Sequence, residues 1–162
     1  MALNVDIDMD IRMTSSVDAI MQQVAKEVDR DIVEAISFRA AKVVEYARER
    51  APNESWNDNS GNLRSSIGAK VTRNGNTTDT IGFVAINGAT EGASEGRSLA
   101  EELASVYNED YALIVGAGMD YAANVEATDG KDVLSSAELQ TRAELPKDLA
   151  KLSRKQYFKG AK

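Results

Sequence analysis

The chain contains no cysteine and no histidine among its 162 residues. Without cysteine it has neither a disulfide framework nor thiolate chemistry. Without histidine it lacks the commonest general base and the commonest zinc ligand. A serine nucleophile would then need a lysine base, but Ser66 and Lys70 are four residues apart rather than the three of a Ser-x-x-Lys motif. We therefore expect no enzyme, no catalytic residue and no cofactor.

Other classes of protein are disfavoured by what the sequence has little of. It lacks an apolar run of about 18 residues, which a transmembrane helix needs. Its first ten residues have neither the basic region nor the apolar core of a secretory signal. The net charge of −7 argues against simple DNA binding. We expect a single domain over 1–162, kept in a reducing cytoplasm, with no membrane, small-molecule or specific nucleic-acid partner.

Residues 3–13 alternate between apolar and polar without error. This pattern predicts a terminal strand or arm over 1–14, paired at a sheet edge of its own chain or of a neighbour. Asp6, Asp8 and Asp10 also resemble the start of a calcium loop. That loop needs glycine and glutamate where Ile11 and Val17 stand, so we expect no metal site.

The next segment contains no glycine or proline from residue 16 to residue 50, and its apolar residues recur every three or four positions. This predicts a long amphipathic helix over 15–50, or two nearly continuous ones, ended by Pro52. An unbroken helix would span roughly 52 Å, more than the roughly 40 Å width of a compact chain. It therefore either breaks near 29–31 or packs its first half on something else, such as the next subunit of a ring.

A sheet is predicted within 63–117. Alternating apolar residues place strands near 63–73, 80–87 and 111–117. Asn74-Gly75 signals a turn between the first two strands, with a loop longer than the minimal type.

An inserted segment over 87–108 interrupts the sheet. Its glycines predict a mobile loop over 87–97, followed by a short helix. A C-terminal helical segment is predicted over 132–158, with a break at Pro146. The expected fold class is α+β, with a long N-terminal helix and a C-terminal helix packed on a small, mainly antiparallel sheet.

Two stretches carry a recognisable order of residues. They contain Ala51, Pro52, Ser60, Gly61, Leu63, Arg64, Ser66 and Ile67, then Tyr121, Ala122, Val125 and Glu126. In order and spacing they resemble the tail-completion, or head–tail joining, neck proteins of long-tailed bacteriophages. The resemblance covers roughly 33–152. It departs from the family in the inserted segment and in a glycine that follows Glu126 later than usual.

The resemblance implies a virion structural protein of a phage or prophage, made in the bacterial cytoplasm and placed in the neck. Its subunits would form an oligomeric ring, hexameric in the family, between the head connector and the tail tube. The implied partners are other copies, head-connector proteins and tail-tube proteins. The motif residues with implied structural roles are Pro52, Gly61, Leu63, Arg64, Ile67, Tyr121 and Glu126. The alternative is a non-phage α+β adaptor that binds proteins.

Candidate interface residues come from charge and from one aromatic. Residues 79–129 hold ten acids and one base, and residues 147–162 hold six bases and one acid. These are either two solvated faces or an acidic middle and a basic tail that meet between subunits, through Lys151, Arg154 and Lys155.

Two further residues have open alternatives. Trp56, in a polar loop, is either tucked under that loop or presented to a partner; it is retained as a candidate interface residue. Arg64 either pairs with an acid such as Glu126 or is exposed.

Overall fold

The computed structural model describes residues 2–49, 56, 59–128 and 131–154, and of residues 2–15 it describes the backbone alone. In chain order the elements are α1 (Ala2–Arg48), α2 (Asn62–Ser65), β1 (Ile67–Arg73), β2 (Asn76–Gly82), α3 (Thr90–Val106), β3 (Tyr111–Ala117), α4 (Ala122–Glu126) and α5 (Ser135–Leu152). The strands form an antiparallel sheet in the order β2-β1-β3. The expected α+β class, with long N-terminal and C-terminal helices, is confirmed.

Strand β1 is the centre of the fold, and six of its seven residues are buried. Both of its faces are covered by helices, which explains the near-continuous burial. On one face Ala69 and Val71 join a buried cluster with Ile36 of α1. On the other face lies α3, where the Glu101 carboxylate is 3.5 Å from the Lys70 ammonium.

The N-terminal strand expected over 1–14 is wrong, because residues 2–48 form one continuous helix. Nothing in this segment ends a helix, since it has neither glycine nor proline. Extending an existing helix needs no new nucleation, whereas a strand needs an edge to pair with. The helix also does not break at 29–31.

The first two strands are shorter than expected. Leu63 lies in α2 rather than at the start of β1, and β2 occupies Asn76–Gly82 instead of 80–87. The hairpin loop is the minimal two-residue type and consists of Asn74 and Gly75, instead of the longer loop expected. Both residues adopt positive φ, 50° and 74°. Such a turn matches the twist of the flanking strands. The third strand was expected where it lies, at Tyr111–Ala117.

In the inserted segment, helix α3 begins at Thr90, inside the stretch 87–97 where a mobile loop was expected. Its glycines serve close packing: a Cβ added to Gly92 would lie 2.0 Å from the carbonyl oxygen of Asn62, and one added to Gly96 would lie 2.3 Å from that of Ser66. The two glycines are four residues apart and so lie on one face of α3. They let its backbone approach α2 and the start of β1.

Helix α5 runs through Pro146 without the predicted break, and it covers Ser135–Leu152 instead of the expected 132–158. A proline inside a helix costs about 3 kcal/mol. Tertiary contacts with α1 offset this, including a buried ion pair in which Arg39 Nε donates to Asp148 Oδ2 at 2.8 Å. The hydrogen bond from Lys151 lowers the pKa of Asp148; burial opposes this effect and the Arg39 bond adds to it.

Replacing Gly96 by alanine tests the close-packing explanation. The clash with Ser66 should outweigh the gain of ~1 kcal/mol in helix propensity. We expect a net loss of about 1–3 kcal/mol in the free energy of unfolding, measured by urea denaturation. Ser94→Ala, at an exposed position of the same helix, should change it by less than about 0.5 kcal/mol. A Gly96→Ala protein as stable as the parent would contradict the explanation.

Replacing Asp148 by asparagine should leave the Arg39 charge buried and unpaired, at a cost of about 3–5 kcal/mol. The control Glu138→Gln removes an exposed partner of Arg142 in the same helix and should cost less than about 1 kcal/mol. Because folding lowers the pKa of Asp148, its contribution is present above its unfolded pKa and lost as the pH falls through the folded value. The parent should therefore lose more stability than Asp148→Asn on acidification below about pH 4. Equal acid sensitivity would argue against this role.

Candidate interaction surfaces

The two motif stretches meet in one buried cluster. Leu63 and Ile67 from the first stretch belong to the same buried cluster as Ala122 from the second, together with Trp56 and Val133. Gly61 has a φ of 79°, and a Cβ there would lie 2.7 Å from the carbonyl oxygen of Ile86. These residues therefore build the core at one end of the domain. Pro52 lies outside the described residues.

Trp56 is an element of that core. Its side chain is 3% exposed, so presentation to a partner is wrong for this chain and the tucked alternative is what the structure has. The Arg64 guanidinium lies 5.4 Å from the centre of the indole ring, a favourable cation–π distance. Arg64 is half-buried there rather than fully exposed.

Glu126 caps the start of α5 instead of pairing with Arg64. Its carboxylate accepts hydrogen bonds from the backbone N–H groups of Val133 at 2.7 Å, Leu134 at 2.8 Å and Ser135 at 3.0 Å. Burial raises the pKa of Glu126, but the bonds from the Ser135 hydroxyl and the three N–H groups outweigh it and lower the pKa. Tyr121, a motif residue with an implied structural role, is 39% exposed at the start of α4.

The Glu126→Gln variant should weaken this cap, because an amide offers one oxygen and turns an NH₂ group towards backbone donors. We expect a loss of about 1.5–3 kcal/mol in the free energy of unfolding, measured by urea denaturation. Asp120→Asn, an exposed acid in the preceding turn, is the matched control and should be nearly neutral. If both variants were equally stable, the cap would have no energetic role.

The N-terminal part of α1 projects beyond the sheet. A helix of 47 residues is roughly 70 Å long. Among the described side chains, Asp29 is the first of α1 to hydrogen-bond to the sheet, accepting from Arg73 and Tyr111. We call residues 16–26 the projecting segment; nearly all of them are exposed.

The projecting segment has an apolar face. Val17 is 55% exposed, Ile20 41% and Met21 55%. Val17, Met21 and Val24 follow a four-then-three spacing, which places them along one side of a helix. The opposite side carries Ala19, Gln22 and Lys26. The segment is therefore amphipathic, and the described part of its own chain does not cover its apolar face.

A second uncovered apolar surface lies at the other end of α1. It is a groove of about 440 Å³ between the edge strand β3 and helix α5, which we call the β3–α5 groove. Its walls and floor come from Val43, Leu113, Val115, Leu134, Thr141 and Leu145. Glu138 and Arg142 stand at the groove and pair with each other at 2.8 Å.

Part of the positive charge of the basic tail is paired with acidic side chains of its own helix α5. Lys147 Nζ lies 2.6 Å from Glu144 and Lys151 Nζ 2.9 Å from Asp148. Lys151 and Arg154 are both exposed, and Lys155 lies outside the described residues. Contact between this tail and a neighbouring subunit stays a prediction.

Two other kinds of site are absent from the described residues. None of their helices is long and apolar enough to cross a membrane. Nor do three or more of their acidic side chains come together where they could hold a metal ion. Comparison with known proteins finds no matching family model, no similar curated protein and no similar solved structure.

Proposed function

We propose that this protein is a structural subunit of a bacteriophage or prophage virion, a tail-completion or head–tail connector protein. In this role its copies form an oligomeric ring between the head connector and the tail tube, and no reaction is catalysed. The observation that carries an assembly role is the projecting segment of α1. The phage assignment rests on the resemblance of the two motif stretches.

The projecting segment supports assembly because the described part of a single chain leaves its apolar face in water. The side chains of Val17, Ile20 and Met21 are each about half exposed, and covering what remains exposed is worth roughly 1 kcal/mol each, about half of the value for complete burial. A rigid apolar arm is of use to a protein that binds a neighbour. It has no evident use in a protein that acts alone.

The motif stretches support the phage assignment through their order and spacing alone. In this chain their residues meet in one core cluster and in the cap of α5, so the spacing serves the packing of this end of the domain. An interface role for them is not needed. The residues that contact partners would then lie elsewhere, on surfaces that the motifs only position.

Sedimentation velocity and negative-stain electron microscopy of the purified full chain test the proposal. We expect an oligomer with one fixed subunit number at low and high protein concentration, seen as a ring with an open centre. The genes beside its own should encode connector and tail-tube proteins, and mixing the chain with those proteins should give a stable complex. A monomer at every concentration that binds neither protein would refute the proposal, and unrelated neighbouring genes would favour an adaptor.

A further inference from the structure

We propose that the projecting segment of one copy docks into the β3–α5 groove of a second copy, by helix-in-groove packing. The inference rests on the proposed ring and names the contact that would build it. Its basis is that the described residues of one chain leave an apolar helix face uncovered and an apolar groove unfilled.

The helix face and the groove of one chain cannot meet. Val43, which lines the groove, belongs to the same continuous helix as Met21. The separation of 22 positions from Met21 to Val43 spans roughly 33 Å at about 1.5 Å per residue. Because the helix is unbroken, the projecting segment points away from its own groove. Any contact between these two surfaces therefore joins different chains.

The two surfaces are chemically compatible. The groove is apolar, with a volume of about 440 Å³, within the range of pockets that receive ligand groups. An amphipathic helix enters such a groove with anchors spaced by three and four residues, as Val17, Met21 and Val24 are. Ile20, beside them on the helix, widens the anchor face.

Charge favours a second copy at these two places. The whole chain carries −7, so most approaches between copies meet repulsion. The projecting segment holds one acid and one base, Asp18 and Lys26. The groove likewise holds Glu138 and Arg142, which pair with each other. Both surfaces are locally neutral, so two copies can meet there without the penalty of their net charge.

The contact is heterologous, because the helix face and the groove are different surfaces. Repeated from copy to copy, such a contact generates a ring when its rotation closes. Two copies exchanging helices reciprocally would instead give a closed pair. The inference is therefore the docking itself, and the number of linked copies tells which assembly it builds.

Crosslinking tests the docking directly, because the chain has no cysteine of its own. Thr141→Cys lies in the groove and is combined with Met21→Cys or Val24→Cys on the apolar face. The matched control combines Thr141→Cys with Gln22→Cys on the opposite face. We expect a short bifunctional thiol reagent to link the first two pairs into covalent oligomers and to leave the control largely uncrosslinked.

A second pair of variants measures how much the apolar face of the projecting segment contributes to self-association. Met21→Glu places a charge on the docking face and should weaken self-association by roughly tenfold or more. Gln22→Glu adds the same charge on the opposite face and should leave it nearly unchanged. Neither residue packs on the described domain, so the unfolding of the monomer, followed by circular dichroism, should be the same for both.

The outcomes separate this inference from the proposed ring. An oligomer seen by sedimentation that neither face pair crosslinks, or that Met21→Glu does not weaken, overturns the docking and leaves the ring intact. Covalent dimers alone support the docking and overturn the ring. A parent chain that stays monomeric overturns both.

Discussion

Strand β1 is buried on both faces, and this constraint arranges the rest of the molecule. A three-stranded sheet cannot bury its own central strand, so helices must lie on each side. The second half of α1 and helix α5 cover one face, and α3 covers the other. The Arg39–Asp148 pair joins the two helices of the first layer, at 2.8 Å and with little solvent access. The glycines of α3 bring the second layer close.

The same constraint divides α1 into two parts with different roles. From Asp29 onward its side chains contact the sheet and α5, and Ala40, Val43 and Ala47 are almost fully buried. Before Asp29 the helix has no sheet beneath it. Because no glycine or proline interrupts the helix, its first part continues along the same axis as its second part. The domain thereby holds a rigid arm whose apolar face its own described residues leave in water.

The motif residues owe their arrangement to local structure. Gly61 turns the chain into α2, Leu63 and Ile67 enter the core, and Glu126 closes the first turn of α5 with three backbone hydrogen bonds. A spacing of this kind serves the fold itself and does not indicate partner contacts. In the arrangement that we propose, recognition belongs to the arm and the β3–α5 groove.

Several features could be predicted from the sequence because they depend on neighbouring residues. The helical period of α1 from residue 16, the turn at Asn74-Gly75, strand β3 and the α+β class all follow from local pattern and turn chemistry. Local pattern misled where two structures were possible. Residues 3–13 alternate as a strand does, although they are helical. The glycines at 92 and 96 predicted a loop, whereas in the structure they allow α3 to pack closely on a neighbouring backbone.

Only the tertiary structure decided the rest. The burial of Trp56, the pairing of Arg39 with Asp148 109 positions away and the β3–α5 groove all involve residues distant in sequence. The groove had no signal in the sequence, because Val43, Val115 and Leu145 become neighbours only when α1, β3 and α5 pack. The sequence alone determined which segments are apolar on one side. The packing of the sheet determined which of those sides are covered.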